Sequence, residues 1–146
     1  MDDIFLSDDI VAEAIKKARI AKNNAFTLNL RFPVGASVVT YTDKIYSGCS
    51  VETFISGLGT CAERSAINNA ISNGEYKFKA VVVAFNRPTF PCGVCLQYIS
   101  TFYQITGKDI SIISIGDNDN KKISSLTQLL PEMYISTHND ALKKYS

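Results

Sequence analysis

"CAERSAINNAISNGEYKFKAVVVAFNRPTFPCGVC", residues 61–95, carries the order of elements that decides the fold. Residues 61–74 keep helical spacing and stop at Gly74. "FKAVVVAF" (78–85) is an almost wholly apolar run of strand length, as expected of a strand covered on both faces. "CGVCLQYISTFY" (92–103) then returns to a helical pattern.

The same alternation continues outward. Ser7 followed by Asp8 and Asp9 suits a helix N-terminus, and Val11, Ala14, Ile15 and Ala18 recur at helical spacing until Asn23-Asn24, which predicts a helix over about 8–23. "VGASVVTY" (34–41) and "KIYSGCSVE" (44–52) are β-rich runs joined by Thr42-Asp43 and read as a hairpin. Downstream, "DISIISIG" (109–116) is a second buried strand, and "SSLTQLLPEMY" (124–134) a short helix closed near its proline. The polar tail, "ISTHNDALKKYS" (135–146), is expected to fray. Strands alternating with helices imply an α/β fold: a three-layer sandwich with a mixed central sheet of about five strands, opened by a hairpin, with helices on both faces. No repeat, low-complexity stretch or long linker divides the chain, so residues 1–146 are expected to form a single domain.

Bulk composition narrows the function. At 146 residues and 46% hydrophobic, the chain can build one core without disulfide staples. The start, "MDDIFLSDD", is acidic where a secretory signal would be basic, and no run approaches the roughly 20 apolar residues of a membrane span. A soluble cytoplasmic protein is the expectation, in which four cysteines are reduced thiols, metal ligands or core residues. Fifteen Lys plus Arg against 14 Asp plus Glu give a net charge of +1 with no long basic run, which disfavours a nucleic-acid polymer as partner. "KARIAK" (17–22) and "NDNKK" (118–122) read as solvated surface.

Chemistry concentrates at two helix starts. "TCAERSA" (60–66) sets Cys61 and Glu63 at one, and "PCGVC" (91–95) sets Cys92 and Cys95 at the next. The positive end of a helix dipole favours thiolates, and three of them leave a tetrahedral Zn²⁺ one open position for water. Each piece alone also has a plainer reading. Thr60-x-x-Glu63 fits a capping box, and a C-x-x-C pair serves equally for redox chemistry, zinc or core packing. Cys49 reads as a small core residue, and His138, in the polar tail, as an exposed bystander.

The conjunction of C-A-E with P-C-x-x-C, separated by one helix and one buried strand, resembles the cytidine deaminase family of zinc enzymes. "FPVGASVV" (32–39), "SGCSVE" (47–52) and "SLTQLLPEMY" (125–134) are similar to that family's F-P-V-G-A-A, T-G-C-N-V-E and E-E-L-L-P-x-x-F segments. The resemblance implies one Zn²⁺ per chain on Cys61, Cys92 and Cys95, Glu63 as the proton shuttle, and Arg64 bonding the thiolates. It implies substrate contacts from Phe32, Ser50, Glu52, Ala62 and Tyr134, with Tyr134 entering a neighbouring subunit's site in a homotetramer. The reaction implied is hydrolytic deamination of free cytidine and deoxycytidine. Ser50 stands where the family has Asn, and Phe54 and Ser56 depart from its Ala and Tyr. "VETFISGLGTCAE" (51–63) looks rather like bacterial blasticidin S deaminases, which makes a modified cytosine nucleoside the alternative substrate.

Overall fold

The computed structural model describes residues 5–146. Helix α1 (Asp8–Asn23) begins where Ser7 accepts a hydrogen bond from the Ile10 amide at 3.2 Å, with Asp8 and Asp9 complementing the positive end of the dipole. Strands β1 (Gly35–Thr40) and β2 (Ile45–Cys49) form the expected antiparallel hairpin. Its turn passes through Asp43 at φ 62°, a left-handed conformation that Asp tolerates better than most residues.

Helix α2 (Ala62–Ser72), strand β3 (Phe78–Ala84), helix α3 (Gly93–Thr106) and strand β4 (Ser111–Ile115) follow. Strand β3 pairs antiparallel with β1 and parallel with β4, so α3 is the crossover that a parallel pair requires. A further strand, β5 (Lys121–Ser125), pairs antiparallel with β4 and completes a mixed sheet in the order β2-β1-β3-β4-β5. The three-layer α/β sandwich with five strands is therefore what the chain adopts.

Alternation along β3 divides the core between two layers. Val81 and Val83 pack with Ala62, Ala66 and Ile67 of α2 and Leu96 and Ile99 of α3, while Ala80, Val82 and Ala84 pack with Ala14 and Ala18 of α1. Small side chains let α1 approach closely. A Cβ on Gly35 would lie 1.9 Å from the Ala18 carbonyl oxygen, and the buried Ser37 hydroxyl donates to the Ala14 carbonyl at 2.6 Å. On the other layer a Cβ on Gly48 would lie 2.3 Å from the Ala66 amide nitrogen, so glycine sets the seat of α2 on β2.

Several local expectations change. The helix expected over 124–134 shrinks to α4 (Leu126–Leu129), because Ser124 and Ser125 are spent pairing with Ile112 and Ser111 in β5. The Lys121-Lys122 pair is exposed as expected, but it lies in that edge strand. Helix α3 runs to Thr106 and stops at Gly107, φ 69°. The tail holds a 3-10 helix at Asn139–Tyr145, whose Tyr145 ring meets Tyr76 edge-on at 4.8 Å. Cys49 is only half-buried, since it closes an edge strand. Among the described residues no helix is long and apolar enough to cross a membrane.

Candidate active site

Cys61 is the N-cap of α2 and Cys92 the N-cap of α3, and neither side chain caps its own helix. Both thiols are thus left free, beside unpaired N–H groups, where polar residues would ordinarily satisfy the backbone. Thr60 lies outside the cap position, so the capping-box reading of Thr60 and Glu63 does not hold. Cys95 sits one turn into α3, fully buried, and the parallel pairing of β3 with β4 carries α3 back beside α2. The Sγ atoms of Cys61, Cys92 and Cys95 all lie within 4.8 Å of one another.

The donor set fits a zinc ion. Bonds of 2.3 Å in tetrahedral geometry space sulfurs by about 3.8 Å, within reach of this cluster. Three thiols this close cannot all ionise unaided. The Cys95 thiol, assisted by Arg64 and opposed by burial, pushes Cys61 down to about 5, while Cys95 is itself pushed up by Cys61 and by burial. A divalent cation among them relieves that conflict, because a coordinated thiol is deprotonated outright. Arg64 Nη2 donates to Cys61 Sγ at 3.5 Å, and its Nε is buried without a protein partner.

Glu63 faces the same point from α2. It is 6% exposed, and Cys95 Sγ lies 3.8 Å from its Oε2. Burial pushes its carboxyl above the ordinary range, and the charge on Cys61 adds to this, against hydrogen bonds from its own backbone amide and Cys95. A buried acid poised to hold and release a proton, beside a three-sulfur cluster, is the chemistry of a proton shuttle.

The remaining expected contacts divide into two groups. A small ribbon holds Ser50 and Glu52 near α2, since Val51 bridges both Phe26 and Thr60, the residue before Cys61. Glu52 Oε2 accepts from the Leu28 amide at 2.6 Å and the Leu30 amide at 3.3 Å, and the Leu28 bond foremost holds its carboxyl below the usual range. Its Oε1 is buried without a protein partner. Ser50 Oγ accepts from the Val34 amide at 3.0 Å. Phe32 is 67% exposed and meets Phe85 edge-on with centroids 6.2 Å apart. Ala62 is buried at the first position of α2.

Tyr134 does not join them. It borders a cavity of about 270 Å³ with Gln97, Thr101 and Gln104, residues on the side of α3 turned away from Cys95. No motif marks Phe85 or Gln104, whose contacts to Phe32 and Tyr134 follow only from position in the fold.

Comparison with known proteins agrees with this geometry. Residues 9–108 match the family described as the cytidine and deoxycytidylate deaminase zinc-binding region. A cytidine deaminase from Sporosarcina psychrophila is 36% identical over 94 residues, covering 63% of this chain and 69% of the relative. A blasticidin-S deaminase from Bacillus cereus is 34% identical over 79 residues, covering 47% of this chain and 56% of that protein. The crystal structure of a cytidine deaminase from Burkholderia pseudomallei superposes with a TM-score of 0.77 at 28% identity, covering 88% of this chain and all of that one.

Proposed function

This chain belongs to the cytidine and deoxycytidylate deaminase family, and on that premise we propose that it hydrolyses free cytidine and deoxycytidine to uridine and deoxyuridine with release of ammonia. The observation that carries the reading is Glu63, buried, with Oε2 3.8 Å from Cys95 Sγ at a cluster of three thiols. Zinc, when held by Cys61, Cys92 and Cys95, supplies the Lewis acidity that makes water a nucleophile near neutral pH. Glu63 takes one proton of the attacking water and passes it to ring N3, then takes the second from the hydroxyl formed on C4 and passes it to the departing amine, so that a carbonyl remains and ammonia leaves. Arg64 places positive charge beside Cys61, offsetting the charge of three thiolates. Ala62 lies between the first sulfur and the acid, and as the first residue of α2 its N–H has no partner within the helix and is the group offered to the base. Phe32 gives the pyrimidine an exposed aromatic surface, and the unpartnered Oε1 of Glu52 gives the sugar an acceptor.

The catalytic unit is a single domain over residues 1–146, and its working form is a cytoplasmic homotetramer acting in pyrimidine salvage, on a free nucleoside rather than a nucleic-acid polymer or a membrane. Supporting the assembly, Leu30, Phe54, Ile55 and Leu58 are each more than 60% exposed on segments flanking Glu52, and a second copy of the chain is the occupant that would cover them. Tyr134, 66% exposed, is the aromatic that one subunit lends to its neighbour's pocket. Light scattering at micromolar concentration tests the assembly, and a monomer would contradict it.

A second reading, deamination of a modified cytosine nucleoside such as blasticidin S, draws on Ser50, which stands where the family has Asn and whose Oγ accepts from the Val34 amide. Ultraviolet-monitored deamination of cytidine, deoxycytidine, cytosine and blasticidin S in parallel decides between them. The first reading expects the highest kcat/KM for cytidine or deoxycytidine, and a clear preference for blasticidin S would replace it.

A further inference from the structure

One side chain of α3 holds the backbone immediately after the Tyr134 side chain, bonding it on either side of Ile135. Gln104 Nε2 donates to the Tyr134 carbonyl oxygen at 3.2 Å, and its Oε1 accepts from the Ser136 amide at 3.0 Å. Nε2 also contacts the Ser100 carbonyl at 3.3 Å, one turn back on the same helix, which orients the carboxamide plane. Residues 130–138 lie between α4 and the 3-10 helix with no regular structure of their own, so these bonds replace a ladder the segment lacks. The ring they carry remains 66% exposed. Backbone order is thus imposed at a residue whose side chain the chain's own core leaves largely uncovered.

We propose that Gln104 is a positioning residue for the deamination reaction: its carboxamide clamps residues 134–136 so that the Tyr134 ring is preorganised to complete a nucleoside pocket. The proposal rests on the reading of Tyr134 as a wall of a neighbouring subunit's site. Preorganisation lowers the ordering cost of binding, and a wall that meets substrate and transition state alike acts on KM more than on kcat. The plain alternative is that Gln104 only fastens the C-terminal segment to α3, which would show in stability rather than in KM.

The test compares kcat and KM for cytidine in zinc-loaded parent, Gln104→Leu, Tyr134→Ala and the double variant, each with its melting temperature and light-scattering mass. Gln104→Leu is expected to raise KM about fivefold, the scale of one lost hydrogen bond, with kcat within about twofold and assembly unchanged. On the Tyr134→Ala background it should add nothing, because the clamp would have no ring to place. A parent-like KM in Gln104→Leu, with KM raised in Tyr134→Ala, would overturn the clamp alone. An increase that persists without the Tyr134 ring would overturn it equally, and no effect of Tyr134→Ala would remove the shared pocket and the clamp together. Should Gln104→Leu fail to fold, Gln104→Glu keeps the acceptor for Ser136 while losing the donor to Tyr134, and the same KM criterion applies.

Discussion

Cys95 Sγ and Glu63 Oε2 stand 3.8 Å apart, although 32 positions separate them in the chain. Helix α3 brings the sulfur and α2 the carboxylate, and β3 between them sets the spacing. An acid buried against a three-thiol cluster has no packing role that Gln could not fill, so its conservative replacement separates chemistry from structure.

Glu63→Gln should therefore retain one zinc per chain and the parent melting temperature while losing turnover by about 10²-fold to 10⁴-fold, the usual worth of a positioned acid-base group. Metal content by mass spectrometry and kcat by ultraviolet absorbance check it. Activity within a few fold of the parent would remove Glu63 from the mechanism.

Arg64→Ala removes the donor 3.5 Å from Cys61 Sγ. Zinc affinity, measured by chelator competition, should fall by about 10-fold to 100-fold, as for other groups that bond a metal ligand. Arg64→Lys should recover only part of it, since an ammonium lacks the planar fork of donors. Unchanged affinity in Arg64→Ala would make Arg64 an ordinary surface residue of α2.

Ser50→Asn tests the sugar contact. An Asn carbonyl can take over the Val34 amide that Ser50 Oγ now accepts, leaving its NH₂ free to donate to a hydroxyl. If cytidine is the substrate, kcat/KM should rise about fivefold, equivalent to about 1 kcal/mol. A fall for cytidine beside an unchanged value for blasticidin S would favour the modified nucleoside.

Asp109 provides a pH dependence remote from the metal centre. Burial pushes its carboxyl up, but the Thr127 and Ser125 hydroxyls and the Thr127 and Ile110 amides outweigh it and hold it below the ordinary value. A depressed folded-state pKa contributes stability present above the unfolded value of about 3.9 and lost as pH falls through the folded one. Asp109→Asn should lower the melting temperature near pH 7 by about 1–2 °C, a small effect because the group is exposed and screened by solvent, and the gap to the parent should narrow as the pH falls below about 3.9. A gap constant from pH 7 to pH 3 would assign the loss to packing rather than to the charge.

Sequence alone determined the layers and the two helix starts at which the cysteines stand, because both rest on local rules. The buried run at β3 alternates its contacts between two helical layers, and a helix start presents free N–H groups wherever a cysteine replaces the usual cap. Strand β5 was not legible. Among its residues only Ile123 is a large apolar side chain, and that is 66% exposed, so the strand exists through backbone pairing with β4 rather than through a hydrophobic pattern. The commitments of polar side chains were equally hidden: Ser50 Oγ accepts from Val34, Glu52 Oε2 from Leu28 and Leu30, and Gln104 bonds the Tyr134 carbonyl and the Ser136 amide from about 30 positions away. Spacing places a residue on an element, whereas the partner of its polar atoms depends on which distant backbone the packed sheet brings within about 3 Å.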